Sequence, residues 1–319
     1  MERRIAQSRN PAVWHGLMLH ATAFCPANIS LVFETYPAEP PHGRGSLGVG
    51  ITLDAGVTVK VSRAAAGTPA GQILVGGEAW EFPTVRSVLA ALTKEILRVE
   101  IEAAFPFGCG FGMSGASALA TALAVNQLLD LGYDRPALGM IAHHAEVDNA
   151  TGLGDVGGQY NGGIMIKTRR HQPLAVEHLP IPPQTLHYRV HGPILTAEVI
   201  NSPEKLQHIN AAGHAAMREI SASGADLTMA RLFGISHTFA RRSGLLQSPA
   251  VAADIAAAGA AGHAATMIML GEAVISTGPF PGSQPAGILF AGAALGAGPR
   301  TAGLKPAPSD ISYPTCGIR

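Results

Sequence analysis

Hydrophobic positions in the first third of this chain recur mostly with period two and give way to helical spacing beyond it. Leu17 to Glu34 reads as strand, turn and strand, with Pro26 at the break because proline donates no N–H to a ladder. Ser46 to Val61 alternates around two glycine turns, and Val57, Val59 and Val61 put β-branched side chains on one face. Gln72 to Phe82 predicts a hairpin around Gly76-Gly77. Thr84 to Leu97 predicts a helix, with Val88, Leu89, Leu92, Ile96 and Leu97 at its spacing. Arg98 to Phe105 returns to alternation, setting Val99, Ile101 and Ala103 against Glu100 and Glu102.

Two further helices follow, Ala116 to Leu131 and Arg135 to Asp148, the second with Pro136 in its first turn. Gly152 to Gly163 is a glycine-rich stretch leading into a short strand, Ile164 to Lys167. The proline-rich Pro180 to Pro183 is the best boundary. Beyond it the pattern predicts a strand pair over Leu186 to Ile200, three or four helices to Leu270, and a final strand pair. Val251 to Ala265 is rich in Ala and Gly yet keeps helical spacing, so it reads as a tightly packed helix. No internal repeat of useful length is visible.

A length of 319 residues calls for two packed domains, and 47% hydrophobic against 14% charged residues suits an enzyme with a large core. Lys+Arg and Asp+Glu balance at 22 each, which removes the global field that nucleic acid or an acidic membrane would need. Cys25, Cys109 and Cys316 are odd in number and far apart, fitting a reducing cytosol; without a CxxC pair they predict no metal cluster. The basic start at Met1 is interrupted by Gln7 to Pro11, and the apolar run Ala286 to Gly298 falls short of the ~20 residues that span a bilayer. The expectation is a cytoplasmic enzyme without nucleic-acid or membrane partners. Paired apolar strands near the C-terminus leave a homodimer open.

The chemistry starts at Pro106-Phe-Gly-Cys-Gly-Phe-Gly-Met-Ser-Gly-Ala-Ser117, between a strand and a helix. Glycines at 108, 110, 112 and 115 permit positive φ and let backbone amides approach an anion. A helix starting near Ser114 adds free N–H groups and the positive end of its dipole. Ser114 and Ser117 add hydroxyls for a phosphate oxygen or Mg²⁺. No Gly-Lys-Ser/Thr occurs, which excludes a Walker loop, and the helix that follows disfavours a dinucleotide fold. A glycine-rich turn that only packs a helix on a sheet is the bland alternative.

A second cluster, Ala142 to Gly163, holds Glu146, Asp148 and Asp155. Phosphoryl transfer needs a hard-oxygen Mg²⁺ ligand and a carboxylate for the attacking hydroxyl, one acid for each job. His143 and His144 point about 100° apart on a helix and do not share one ion, so buried or hydrogen-bonded histidine is the better reading.

Four stretches, in order along the chain, resemble the GHMP kinase superfamily. Phe24 to Phe33, with Pro26, is similar to its first motif, and Pro106 to Ala118 to its P-x-x-x-G-L-G-S-S-A phosphate loop. Gly154 to Gly163 is similar to the stretch with an acid before paired glycines, and Ala264 to Val274 to the third motif, a glycine turn near the phosphates. Within the superfamily Gly45 to Asp54, Gly108 to Ala116 and the run through Glu146 to Asp155 look most like the archaeal pantoate kinases.

The resemblance implies an α+β, two-domain GHMP kinase fold. Residues 1–180 would form a ribosomal-protein-like β-α domain that binds ATP, and residues 181–319 a ferredoxin-like domain, with the site between them. It implies ATP and Mg²⁺ as cofactors and phosphorylation of pantoate to 4-phosphopantoate, on the archaeal route to coenzyme A. Gly108, Gly110, Gly112, Met113, Ser114, Gly115, Ala116 and Ser117 would hold the nucleotide. Ser114 and Glu146 would hold Mg²⁺, and Asp155 would face the acceptor hydroxyl as base or electrostatic orienter. Asn28, Arg44 and Ser46 are acceptor-side candidates, and a substrate carboxylate needs a cation, for which Arg44, Lys60 and Arg63 stand near the Gly45–Gly50 stretch. One departure matters: mevalonate-kinase-like members carry a lysine in the first motif, where this chain has Asn28. Either another residue supplies that charge or Asp155 and Mg²⁺ suffice. A superfamily member acting on mevalonate, a phosphomevalonate or homoserine, and a non-catalytic nucleotide-binding regulator, remain open here.

Overall fold

The structure is a computed structural model that describes residues 19–38, 43–63 and 71–290. The basic start, Cys316 and most of the apolar run from Ala286 lie outside them. Strands β1 (His20–Tyr36) and β2 (Gly45–Arg63) pair antiparallel from His20 opposite Ser62 to Tyr36 opposite Gly45. The break expected at Pro26 is instead an irregularity inside one long strand. The register shifts between Pro26 and Asn28 and again between Ser30 and Val32. Pro26 keeps its place opposite Gly56, and the ladder is interrupted at Ala27 beside it, where a proline is tolerated. The two turns expected in Ser46 to Val61 are likewise absorbed into β2. A β-carbon on Gly48 or Gly56 would strike the carbonyl oxygen of Val32 or Cys25, so glycine lets the bulged backbone of β1 lie against β2.

Strands β3 (Ile73–Val75) and β4 (Glu78–Ala79) form the expected hairpin, with φ 57° and 87° at Gly76 and Gly77. Helix α1 (Pro83–Leu92) stops before the predicted Leu97. Thr93 is extended, Ile96 is 66% exposed, and Leu97 begins β5 (Leu97–Ala103) opposite Arg63 of β2. Pairing with a long neighbouring strand here overrides local helical spacing. Val99 and Ile101 of β5 are buried while Glu100 and Glu102 face outward, as alternation required.

Helix α2 (Met113–Leu129) is apolar nearly all round and runs through the middle of the core. Its alanines let it lie close to β1, β2, α1 and α3 (Arg135–Asp148). Asp134 caps α3, accepting from the Ala137 amide at 2.8 Å. A helix rather than a strand thus follows α2. Gly152 to Gly163 contains helix α4 (Asp155–Asn161), then β6 (Ile164–Lys167) and β7 (Glu177–His178). The first sheet has the order β4-β3-β5-β2-β6-β7, with β1 also on β2.

A second sheet, ordered β11-β8-β10-β9, begins with β8 (Leu186–Pro193). The second strand expected before Ile200 is instead helix α5 (Thr196–Ile200), because β8 finds its partners late in the chain. Helices α6 (Pro203–Ser223), α7 (Met229–Arg242) and α8 (Pro249–Ala260) precede β9 (Ala265–Met267), β10 (Gly271–Ser276) and β11 (Gln284–Ala286). This is an arrangement of two sheets with helices, the α+β class expected. One hydrophobic cluster spans both sheets, and α6 and α7 pack on β1, where Ser236 Oγ donates to the Leu31 carbonyl at 2.8 Å. Among the described residues no helix is long and apolar enough to cross a membrane.

Gly213 is where α6 meets β1: a β-carbon there would run into the Phe33 carbonyl. Alanine normally gains about 1 kcal/mol over glycine inside a helix, but overpacking a close backbone contact costs about 1–3 kcal/mol. Gly213→Ala is therefore expected to destabilise the protein, read as a lower urea midpoint. A raised midpoint would contradict the packing described.

Candidate active site

The loop Gly108–Gly112 carries positive φ at every second residue: 75° at Gly108, 84° at Gly110 and 64° at Gly112. Between them Cys109 and Phe111 are buried, and Phe111 stacks on Phe105 with ring centroids 4.4 Å apart. The glycines turn the backbone while these two side chains anchor it. Carbonyls of the loop are drawn into the protein. Ile194 N donates to Gly108 O at 2.9 Å, Asn28 N to Phe111 O at 3.1 Å, and Gln159 Nε2 to Gly112 O at 2.6 Å. The Met269–Gly271 turn closes the other side, where a β-carbon on Gly110 would lie 2.7 Å from Met269 O.

Helix α2 starts from Gly112 in the left-handed region with no side-chain cap, which leaves its first amides for an anion. Met113, Gly115 and Ala116 are buried in its first turn, so they can offer a ligand only backbone. Ser117 departs from expectation: it is fully buried and its hydroxyl donates to Met113 O at 2.8 Å, the usual fate of a serine facing a helix interior. Of the two serines only Ser114 faces the site.

Ser114 Oγ donates to Glu146 Oε1 at 2.6 Å, and Thr151 Oγ1 donates to the same oxygen at 2.6 Å. Thr84 Oγ1 lies 3.0 Å from that of Thr151, tying α1 into the group. Glu146 is buried on α3, and this desolvation pushes its carboxyl up to about 7 despite the two hydroxyls. Adjacent ligands of an octahedral Mg²⁺ at about 2.1 Å stand about 3 Å apart, so the Ser114–Glu146 pair has nearly the spacing of two such ligands. Mg²⁺ commonly takes one or two protein groups plus substrate phosphates. The small oxygen-only set here fits that habit, and no cluster of three His, Cys, Asp or Glu side chains occurs among the described residues.

Asp155 does not sit in a loop. It opens α4, whose Gly157 and Gly158 serve close approach: β-carbons there would strike Pro173 O and the Asn28 side chain. Asn28 Nδ2 donates to Asp155 Oδ1 at 3.0 Å, with Ser30 Oγ at 3.5 Å from the same oxygen. Burial raises the Asp155 carboxyl, while Asn28, Lys167 and Ser30 oppose the rise. Asp148, at the end of α3, is exposed and takes no part.

Lys167 was not among the candidates that the sequence pointed to. It ends β6, is buried, and points its ammonium toward Pro173 O at 3.5 Å beside Asp155 and Ser46. Burial lowers it to about 8, and Asp155 pulls the other way. A lysine closing an otherwise apolar four-residue strand was the available signal. Asn28, Ser30, Ser46, Asp155 and Lys167 line a cleft together with apolar side chains including Val32, Phe33, Leu153, Met165 and Ile200. Arg44 is not among its lining residues; its backbone meets the ring of His143. Lys60 and Arg63 lie far along β2 in ion pairs with Glu100 and Glu95, at 3.2 and 3.3 Å. His143 is buried and held down to about 3 by desolvation first, then by Lys167 and His144, so it stays neutral.

Residues 83–163 match the family described as GHMP kinases N terminal domain. A pantoate kinase of Thermococcus kodakarensis is 32% identical over 235 residues, covering 70% of this chain and 76% of that protein. One from Methanocaldococcus jannaschii is 28% identical over 228 residues, 70% of this chain and 80% of its own. A solved structure described as a phosphotransferase related to the CoA biosynthesis pathway superposes with a TM-score of 0.72 at 25% identity, over 85% of this chain and 96% of the other.

Gly110→Ala forces a β-carbon into left-handed backbone and onto Met269 O. If strain of about 1–2 kcal/mol displaces the loop, the Kd for ATP by titration calorimetry should weaken by about 5–30-fold. Unchanged affinity would remove this loop as the nucleotide seat.

Proposed function

The chain belongs to the GHMP kinase family, and on that premise we propose that it is an ATP-dependent pantoate kinase forming 4-phosphopantoate. The observation that carries the acceptor is the presence, in one partly apolar cleft, of the Lys167 ammonium and the Asp155 carboxyl, the latter against Gly112 of the loop. Pantoate has a carboxylate, a primary hydroxyl and a gem-dimethyl centre between them. Lys167 has donors beyond the one aimed at Pro173 O with which to hold the carboxylate. Asp155 accepts the hydroxyl proton and orients the oxygen for attack, while Val32, Phe33 and Met165 give the methyl groups apolar contact.

The amides at the start of α2 and in the loop hold the phosphates without moving during the reaction, so their contribution is preorganised. Ser114 and Glu146 would hold Mg²⁺, which when bound neutralises charge on the β- and γ-phosphoryl oxygens. Asn28 replaces the first-motif lysine with a neutral amide that fixes Asp155, and Lys167 returns the missing positive charge from the opposite strand. The reading makes ATP and pantoate the partners and the cytoplasm the compartment.

ADP release measured across pantoate, mevalonate and homoserine is expected to be fast with pantoate alone; equal rates with the others would defeat the assignment. Asp155→Ala should lower kcat with pantoate by about 10²–10⁴-fold while ATP still binds, and wild-type turnover would remove its role. Lys167 grips a carboxylate only while protonated, and its depressed value of about 8 means the proton is lost as pH rises through about 8. The KM for pantoate should therefore climb above that pH in the wild type and stay level in Lys167→Arg, whose guanidinium keeps its charge. A wild-type KM unchanged to pH 9.5 would contradict this.

A further inference from the structure

Gln159 lies one helical turn after Asp155 on α4 and is fully buried. Its Nε2 donates to Gly112 O at 2.6 Å, which settles the orientation of the amide, since the reverse would press two oxygens together. Its Oε1 is buried and has no hydrogen-bond partner among the described residues. That oxygen is aimed at the head of α2. It lies 2.9 Å from where a β-carbon of Gly115 would stand, and Glu146 Oε2 lies 3.1 Å from the same point. Glu146 Oε1 is taken by Ser114 and Thr151, so Oε2 is the oxygen this carboxylate presents on that side. Two oxygens, one of a carboxyl group and one of an amide, thus converge on the same glycine, and the amide oxygen has no donor.

We infer that Gln159 is a positioning residue of the metal site, whose Oε1 accepts a hydrogen bond from a water in the Mg²⁺ hydration shell. The inference rests on the metal-dependent kinase reading above. Mg²⁺ gives up its waters reluctantly and keeps several when bound. A metal-bound water is a strong donor, which is what a buried unpaired carbonyl oxygen between a carboxylate and a phosphate loop calls for. The same side chain grips Gly112, the residue from which α2 starts. It therefore couples the cation's hydration shell to the loop that holds the phosphates. Gly115 contributes by lacking a side chain: any β-carbon would fill the space between the two oxygens.

The test uses the full chain, Mn²⁺ as the metal probe and a non-hydrolysable ATP analogue, with free Mn²⁺ read by its electron paramagnetic resonance signal. Gln159→Met keeps length and shape but removes both amide functions. It is expected to weaken Mn²⁺ binding in the nucleotide complex by about 10–100-fold, with a much smaller loss of metal-free nucleotide affinity. Gln159→Glu keeps an acceptor oxygen and gives up the donor to Gly112, so it should retain Mn²⁺ affinity while metal-free nucleotide binding weakens. Wild-type Mn²⁺ affinity in Gln159→Met would overturn the assignment. So would parallel losses of metal and metal-free nucleotide binding in both variants, the signature of a purely structural tie. Failure of the wild-type chain to take up Mn²⁺ with the analogue would bring down the metal-dependent reading and this assignment together; the other outcomes touch the assignment alone.

Discussion

The backbone of Gly112, held in the left-handed region at the head of α2, is the constraint from which the site's geometry follows. A β-carbon there would stand 2.9 Å from Gln159 Nε2, 3.0 Å from Asn28 O and 3.2 Å from Asp155 Cβ. Only glycine lets strand β1, helix α4 and the phosphate loop meet at one point. Because they meet there, the free amides at the head of α2 and the Asp155 carboxyl are placed by the same contact, and under the proposed function these are the groups that meet the phosphates and the acceptor hydroxyl. In-line transfer depends on such spacing, and rigid support is the cheapest way to hold it.

Around this point the protein buries Glu146, Asp155 and Lys167, and burial pushes each toward its uncharged form. The opposing groups are local. Two hydroxyls hold Glu146, an amide holds Asp155, and Asp155 and Lys167 support each other. Buried charges so incompletely matched are weak contributors to stability. Under the proposed function they are half of an arrangement that a phosphate, a cation and a carboxylic acid complete, and ligands that bind only the folded state then stabilise it.

The long β1–β2 ribbon supplies the framework. Its bulges carry Asn28 and Ser30 toward Asp155, and Thr52 holds α4 through Gly158 O at 3.0 Å. The second sheet is not a bystander: its Met269–Gly271 turn backs the loop, and the Ile194 amide caps Gly108 O. The glycine loop is therefore held by both halves of the chain.

Some of this was legible in local pattern. Alternating Val57, Val59 and Val61, the Gly76-Gly77 hairpin, the bounds of α3 and the glycine loop all follow from steric and periodic rules acting over a few residues. Nearest-neighbour rules fail where a partner is distant. Pro26 looked like a break because the bulge that accommodates it is defined by β2, and Leu97 looked helical because its strand partner is Arg63. Glycine in Gly152 to Gly163 signalled a loop, whereas its purpose is contact between α4 and side chains far away in sequence. Ser114, Glu146 and Asp155 drew notice by residue type and by the family resemblance, and the fold brings Ser114 against Glu146 and Asp155 against Asn28. That Ser117 turns inward while Ser114 meets Glu146, that Lys167 is buried near Asp155, and that Gln159 keeps an unpaired oxygen were decided only by tertiary structure, because burial and direction belong to the packed chain and not to any single residue.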